Sequence, residues 1–300
     1  MTNENCYWHP DRYAGVTCQR CERRVCADCM YTASVGFHCP ACISPQSIDS
    51  RRQRRSFVRS SNRILTVSEQ SLITRTLIAI NLLAFLATLF RGGSLSSGGG
   101  DVTIDFGLVG YGRVLSTFSI DYVGVAEGEW WRMVTGGFLH AGFIHLAFNM
   151  FLLWMLGSQL ERILGGTSYL ILYFASLLSG ALGVMLLDPL ALTVGASGAV
   201  FGLMGATVIY QLRRGVSPWS NGIGTLLIIN LIFTFARPNI SVGGHLGGLL
   251  GGLLIGWLID EINKKRVAGY LSFLVPLIIT VALGFSCIWA SEYWYDPILG

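Results

Sequence analysis

Charge is what this sequence has least of. Asp, Glu, Lys and Arg make up 13% of its 300 residues, about half the share usual in soluble domains, while 52% are hydrophobic and the mean hydropathy is +0.55. A purely cytosolic globular enzyme is excluded by these numbers, and so is a disordered chain. The 37 glycines show no Gly-X-Y period, which excludes collagen and points instead to closely packed transmembrane helices. Strand alternation is missing as well, and no charge falls in the middle of an apolar segment, as a transporter pathway would require. The first 45 residues have neither the apolar core of a signal peptide nor the Arg/Ser-rich pattern of a transit peptide, so this end is expected to stay unexported. Neither the net charge of +4 nor the pI near 8.6 is extreme, and no nucleic-acid partner is expected.

What is present falls into four segments. Residues 1–45 are polar and carry all the cysteines except Cys287; residues 46–70 form a basic linker with Arg51, Arg52, Arg54, Arg55, Arg59 and Arg63. Apolar runs of spanning length follow at about 72–90, 143–160, 169–187, 196–212, 222–236, 242–259 and 271–290. The first six define a core over 71–262, and the seventh lies within 263–300. The predicted fold is an all-α polytopic membrane protein with a small N-terminal metal-binding domain. Counting from Arg51, thirteen basic residues fall on the N-terminal side of these spans and four, Arg91, Arg113, Arg132 and Arg237, on the other. By the positive-inside rule the N-terminus is cytoplasmic and the C-terminus outside. The long connection over 91–142 opens with a Gly/Ser tract and later presents Glu129, Trp130, Trp131 and Arg132, a cluster suited to the membrane interface.

The cysteines come in pairs with two residues between partners: Cys6 with His9, Cys18 with Cys21, Cys26 with Cys29, and Cys39 with Cys42. Eight such ligands suit two tetrahedral zinc ions. Reduced cytosolic thiols favour metal over disulfides, and a segment this short needs the metal's free energy to fold. Alternating pairs suggest a cross-brace, with Cys6, His9, Cys26 and Cys29 on one ion and Cys18, Cys21, Cys39 and Cys42 on the other; sequential pairing is the competing arrangement. The module resembles a B-box-like zinc finger. With every position filled it is structural, and it would engage a cytoplasmic partner or substrate. His38 is a ninth candidate for eight places and reads as a surface residue.

Polar side chains inside spans are costly and each deserves a functional hypothesis. His145 and Asn149 lie four apart on one helical face, Ser197 opens the fourth span, and His245 lies near the start of the sixth, all at similar outer depth. A serine needs a base to become a nucleophile, and acyl transfer needs donors for the oxyanion. His245 can be that base, while His145, the Asn149 amide and backbone N–H groups near Ser197 can stabilise the oxyanion. Taken singly, each feature has a structural reading: glycine stripes at 198/202 and 244/248/252/256 pack helices, and a membrane histidine can simply be paired.

In combination, Gly195-Ala196-Ser197-Gly198, His245-x-x-Gly248-x-x-x-Gly252, His145-x-x-x-Asn149 and Glu129-Trp130-Trp131-Arg132 resemble the motifs of rhomboid intramembrane serine proteases, over roughly residues 71–262. The resemblance implies a six-plus-one helix architecture and a catalytic dyad of Ser197 and His245 that needs no metal. It implies oxyanion binding by His145, Asn149 and the Ser197 backbone, and a structural role for Trp131 and Arg132 in the first outer loop. Phe201 stands where a tyrosine often stacks on the catalytic histidine, and His140 matches a histidine at the active-site mouth with a structural or water-retaining role. The expected substrates are transmembrane proteins in the lipid bilayer of a bacterial plasma membrane, cleaved near its outer leaflet. The competing reading is a catalytically silent client-binding protein with a zinc adaptor. A soluble α/β-hydrolase is excluded because Ala199 stands where its nucleophile elbow requires glycine.

Overall fold

A computed structural model describes residues 4–32, 36–42, 71–115, 119–265 and 270–293. The basic linker over 46–70 lies outside the described residues. The chain divides into two units, Met1–Arg63 and Ile64–Gly300.

The first unit has two antiparallel hairpins, β1 (Val16–Thr17) with β2 (Arg24–Val25) and β3 (Tyr31–Thr32) with β4 (Phe37–His38). Single helical turns at Ala27–Cys29 and Pro40–Cys42 follow each hairpin strand pair in the chain or close it. Its interior is made mostly of cysteine: Cys6, Cys18, Cys26, Cys29 and Cys39 are buried beside Ala14 and Val25. Two-residue strands around so small an apolar centre cannot hold themselves together by burial alone.

The second unit is helical. In chain order it comprises α1 (Leu72–Phe90), α2 (Asp101–Phe106), hairpin β5 (Gly112–Leu115) with β6 (Ile120–Val123), α3 (Arg132–Thr135) and α4 (Phe143–Leu164, with a π turn at Leu153–Gly157). These are followed by α5 (Gly166–Leu187), α6 (Ser197–Leu212), α7 (Ile223–Ala236), α8 (Val242–Lys264) and α9 (Leu271–Tyr293). Five of them, α1, α4, α5, α8 and α9, are long and apolar enough to cross a bilayer, and α6 and α7 are shorter apolar helices. The protein is a multi-pass helical membrane protein.

Small residues decide which helices touch. A Cβ on Gly248 would fall on the carbonyl of Gly198, and one on Gly252 on the carbonyl of Gly202, so α8 and α6 meet backbone to backbone. Gly243 and Gly183 do the same for α8 and α5. The sequence leaves the partner of each glycine stripe open; the structure pairs the fourth and sixth apolar segments. Helix α6 is consequently buried on nearly every side, whereas α9 packs chiefly on α5 and shows most of its surface outward.

Ionic groups fasten the helix ends. The buried Glu161 carboxylate accepts the backbone N–H groups of Ile73 and Thr74, both at 2.9 Å, and the Thr74 hydroxyl at 2.7 Å. An anion there answers the free N–H groups and the positive dipole end of α1. Where α6 ends, Arg213 pairs with Asp260 at 2.5 Å and with Glu261, and Arg214 pairs with Asp260 at 3.1 Å.

The described residues of the connection over 91–142 are folded, which its Gly/Ser opening did not suggest. Arg132 is 1% exposed and donates to the Glu129 carboxylate at 2.6 Å, to Ile104 O at 2.6 Å and to Gly107 O at 2.9 Å. One guanidinium thus ties α3 to the end of α2, while Trp130 and Trp131 remain about half exposed. The cluster expected to be an interfacial anchor is split: the indoles face outward and the arginine faces in.

Candidate active site

Ser197 is the first residue of α6, placed there by Gly195 and Ala196. Gly195 has φ of +133°, a conformation that favours glycine, and its N–H is held by Gly136 O at 3.0 Å. The first intrahelical bond runs from Val200 N to Ala196 O at 3.0 Å, so helix geometry leaves the N–H groups of Ser197, Gly198 and Ala199 without an intrahelical acceptor. Donors of that kind suit a developing oxyanion. Ser197 opens on a cavity lined by Gly136, Gly137, Gly195, Ser241 and Gly244.

His145 also comes close to Gly195. A methyl group placed on Gly195 would lie 3.0 Å from His145 Nε2 and 3.6 Å from Ser197 Oγ, so the ring nitrogen and the hydroxyl border one volume. The backbone N–H of Ala141 donates to His145 Nδ1 at 3.4 Å. With Nδ1 an acceptor, the neutral ring carries its proton on Nε2 and turns a donor toward Ser197. Asn149 is 3% exposed, and its Nδ2 donates one hydrogen to His145 O at 2.9 Å, leaving the second for a ligand.

His245 sits in the first turn of α8. Ser241 caps that helix by accepting the Gly244 N–H at 3.0 Å. Phe201, one turn after Ser197 on α6, stacks on the imidazole with centroids 4.2 Å apart and planes 20° from parallel. Against its other edge, Thr234 Oγ1 of α7 lies 2.7 Å from His245 Nδ1. Because Gly198 and Gly244 also pack closely, the serine and histidine ends of α6 and α8 are gathered at one place.

His140 is 1% exposed and meets the His145 ring edge-on at 5.2 Å. Both of its ring nitrogens are buried, with the Phe138 backbone beside the ring. Burial, and secondarily the neighbouring His145, push this imidazole down to about 3. Sequence reasoning did not single out Thr234 or Ser241. The available signal for Thr234 was its spacing of four from Asn230, these being the two buried polar side chains of α7.

In the N-terminal unit, Cys6, His9, Cys26 and Cys29 form one group and Cys18, Cys21, Cys39 and Cys42 another, with the ligand atoms of each group within 4.8 Å of one another. His9 Nδ1 lies 3.4 Å from both Cys26 Sγ and Cys29 Sγ and 3.9 Å from Cys6 Sγ, and Cys21 Sγ lies 3.5 Å from Cys39 Sγ. A tetrahedral ion with sulfur at about 2.3 Å and nitrogen at about 2.0 Å sets ligand separations of roughly 3.5–3.8 Å. Both quartets could therefore hold a metal ion, and their grouping is the alternating one. His38 lies on β4, outside both.

Fold and site together define a polytopic helical membrane protein that gathers Ser197 and several histidines at the ends of its helices. The family model for the Rhomboid domain matches residues 127–261. The chain is 34% identical over 177 residues to the Rhomboid protease GluP of Bacillus subtilis (strain 168), covering 58% of this chain and 32% of that protein. It is 41% identical over 128 residues to YdcA of the same organism (41% and 64%), and 34% identical over 190 residues to Rhomboid-like protease 1 of Toxoplasma gondii (60% and 65%). Over these stretches the chain is similar to rhomboid proteases. It spans about a third of GluP and just under two thirds of the other two.

Proposed function

We propose that the protein is an intramembrane serine endopeptidase that cleaves transmembrane proteins through a dyad of Ser197 and His245. The observation that carries this reading is the gathering of a helix-opening serine and a Phe201-stacked histidine, with His145 Nε2 and Ser197 Oγ both bordering Gly195. Relatives named as rhomboid proteases support it.

In the proposed reaction His245 takes the Ser197 proton as Oγ attacks a scissile carbonyl. The resulting oxyanion is met by His145 Nε2–H, the free hydrogen of the Asn149 amide and the first-turn N–H groups of α6. Collapse of this intermediate breaks the C–N bond, and the amine leaves with the proton from His245. Water then adds to the acyl-enzyme with His245 again as base, releasing the acid and restoring Ser197. A helical carbonyl is already hydrogen-bonded and shielded, so the substrate must unwind locally, and helix-breaking or small residues near the bond favour cleavage.

The excess of basic residues on the N-terminal side supports a cytoplasmic N-terminus and an outward-facing active site; the six-plus-one arrangement and a bacterial plasma membrane complete the proposed reading. The N-terminal quartets would hold two structural zinc ions, which organise a surface for a partner or substrate. Cleavage of a fluorogenic transmembrane peptide by the lipid-reconstituted protein tests the reading. Ser197→Ala and His245→Ala should each abolish it, whereas turnover unchanged in Ser197→Ala would favour a silent client-binding protein.

A further inference from the structure

A histidine can serve as the base only in one of its two neutral tautomers, with the proton on Nδ1 and the lone pair on Nε2 toward the serine. Stacking on Phe201 fixes the plane of the His245 ring, but it is equally satisfied after a half-turn of the ring and by either tautomer. Something else must choose, and among the described residues there is no carboxylate bonded to His245.

The choice can be read from the hydrogens at Thr234. Its side chain is 1% exposed, so water does not compete for its hydroxyl. Oγ1 lies 2.8 Å from the Asn230 carbonyl, which can only accept, and 2.7 Å from His245 Nδ1, which can do either. A hydroxyl has one proton. If that proton goes to Nδ1, one hydrogen bond forms and the hydroxyl's approach to Asn230 O is a contact between two acceptors. If it goes to Asn230 O, Oγ1 offers a lone pair to an Nδ1–H and both bonds form in series, each polarising the other. In a buried site two bonds outweigh one.

We infer that Thr234 is the positioning residue of the active site, holding His245 as the Nδ1–H tautomer with Nε2 free to accept the Ser197 proton. The bond persists and strengthens when the ring becomes imidazolium, because a charged donor then faces the same lone pair. A neutral hydroxyl on a neighbouring helix thus does part of what a carboxylate does in a catalytic triad: it sets tautomer and orientation. Its anchor is α7, whose Ile228, Ile229, Ile232, Phe233 and Phe235 face outward and whose remaining inward-facing polar group in this half is Asn230.

This inference rests on the proposed serine protease reading, and the test separates the two. Thr234→Val keeps the side-chain volume and removes the hydroxyl; Thr234→Ser restores it. In lipid, with a fluorogenic transmembrane peptide, Thr234→Val should lose about tenfold in kcat with KM unchanged, as expected for one hydrogen bond made stronger in the transition state, and Thr234→Ser should stay within about threefold of wild type. Ring 15N NMR of the full chain, with His245 assigned among the five histidines by its loss in His245→Gln, should show Nδ1 protonated in wild type and Thr234→Ser and a mixed pattern in Thr234→Val. A Thr234→Val protein with wild-type kcat, or with an unchanged ring protonation pattern, overturns the inference, as does a defect that serine fails to rescue. If wild type cleaves nothing, the protease reading is what fails, and the ring spectra of the same three proteins still decide the role of Thr234.

Discussion

Replacing Arg132 by Met should unfasten the connection over 91–142 while leaving the helical core in place. Methionine keeps the apolar stem but removes all three donors, which strands the Ile104 and Gly107 carbonyls and deprives the Glu129 carboxylate of its partner. Breaking a buried ion pair from one side costs about 3–5 kcal/mol. Glu129 is about a quarter exposed and also accepts the Gly124 N–H at 2.7 Å, so the lower end, about 3 kcal/mol, is the reasoned value. For a protein of this size that is on the order of a 6–10 °C fall in Tm. Arg132→Lys keeps the charge but not the planar fork and should recover roughly half of the loss. Thermal unfolding in detergent micelles gives the magnitude, and limited proteolysis with mass mapping should show new cleavage within 91–142 before any within α5, α6 or α8. A Tm within 2 °C of wild type, in the same micelles and with the connection still resistant, would refute the clamp.

The glycine seam predicts that Gly248→Ala, whose methyl group would meet the Gly198 carbonyl, costs about 1–3 kcal/mol and lowers cleavage sharply by shifting the neighbouring Ser197, while Gly284→Ala, which meets only Leu178 Cδ1 at 4.0 Å, is silent in both assays. Elemental analysis of protein purified under reducing conditions should give two zinc ions per chain, and Cys39→Ser should leave about one; chelation should remove the ordered signal of residues 4–32 and 36–42 without lowering the helical content of the second unit. His140 should make the protein acid-sensitive. Its folded value near 3 lies below the ordinary 6.5, so the unfolded state binds the proton first, and stability should fall by about 1.4 kcal/mol per unit as pH drops below 6.5. Compared with wild type over pH 7 to 4, His140→Phe should lose one proton's worth of that slope in the unfolding midpoint; an unchanged slope would contradict the assignment.

Apolar length made the seven helices legible, but charged residues hid two of their ends. The apolar run of the second span stops at Leu160, yet α4 continues to Leu164 because Glu161 is a buried cap on α1. The sixth stops at Ile259, yet α8 continues through Asp260 and Glu261, which pair with Arg213 and Arg214. A carboxylate at the end of an apolar run reads as the membrane surface, and only the tertiary partner shows it is inside the fold. The Gly/Ser tract after α1 carries no local signal of its order, which depends on contacts made far along the chain, among them Phe143 N to Leu95 O at 2.7 Å. The residues of the candidate site were legible because serine, histidine and asparagine are conspicuous among aliphatic neighbours. Thr234 was not: a threonine in a helix usually bonds back to its own carbonyl, as this one does, and its second bond to His245 depends on how α7 lies against α8.

Covalent labelling reads directly whether Ser197 is the nucleophile that His245 activates. The lipid-reconstituted full chain should be treated with a fluorophosphonate, digested, and the adduct located by mass spectrometry. One adduct on Ser197 is expected, absent in Ser197→Ala and at least a hundredfold slower to form in His245→Ala. An adduct on another residue, or labelling of Ser197 at the same rate without His245, would contradict the dyad.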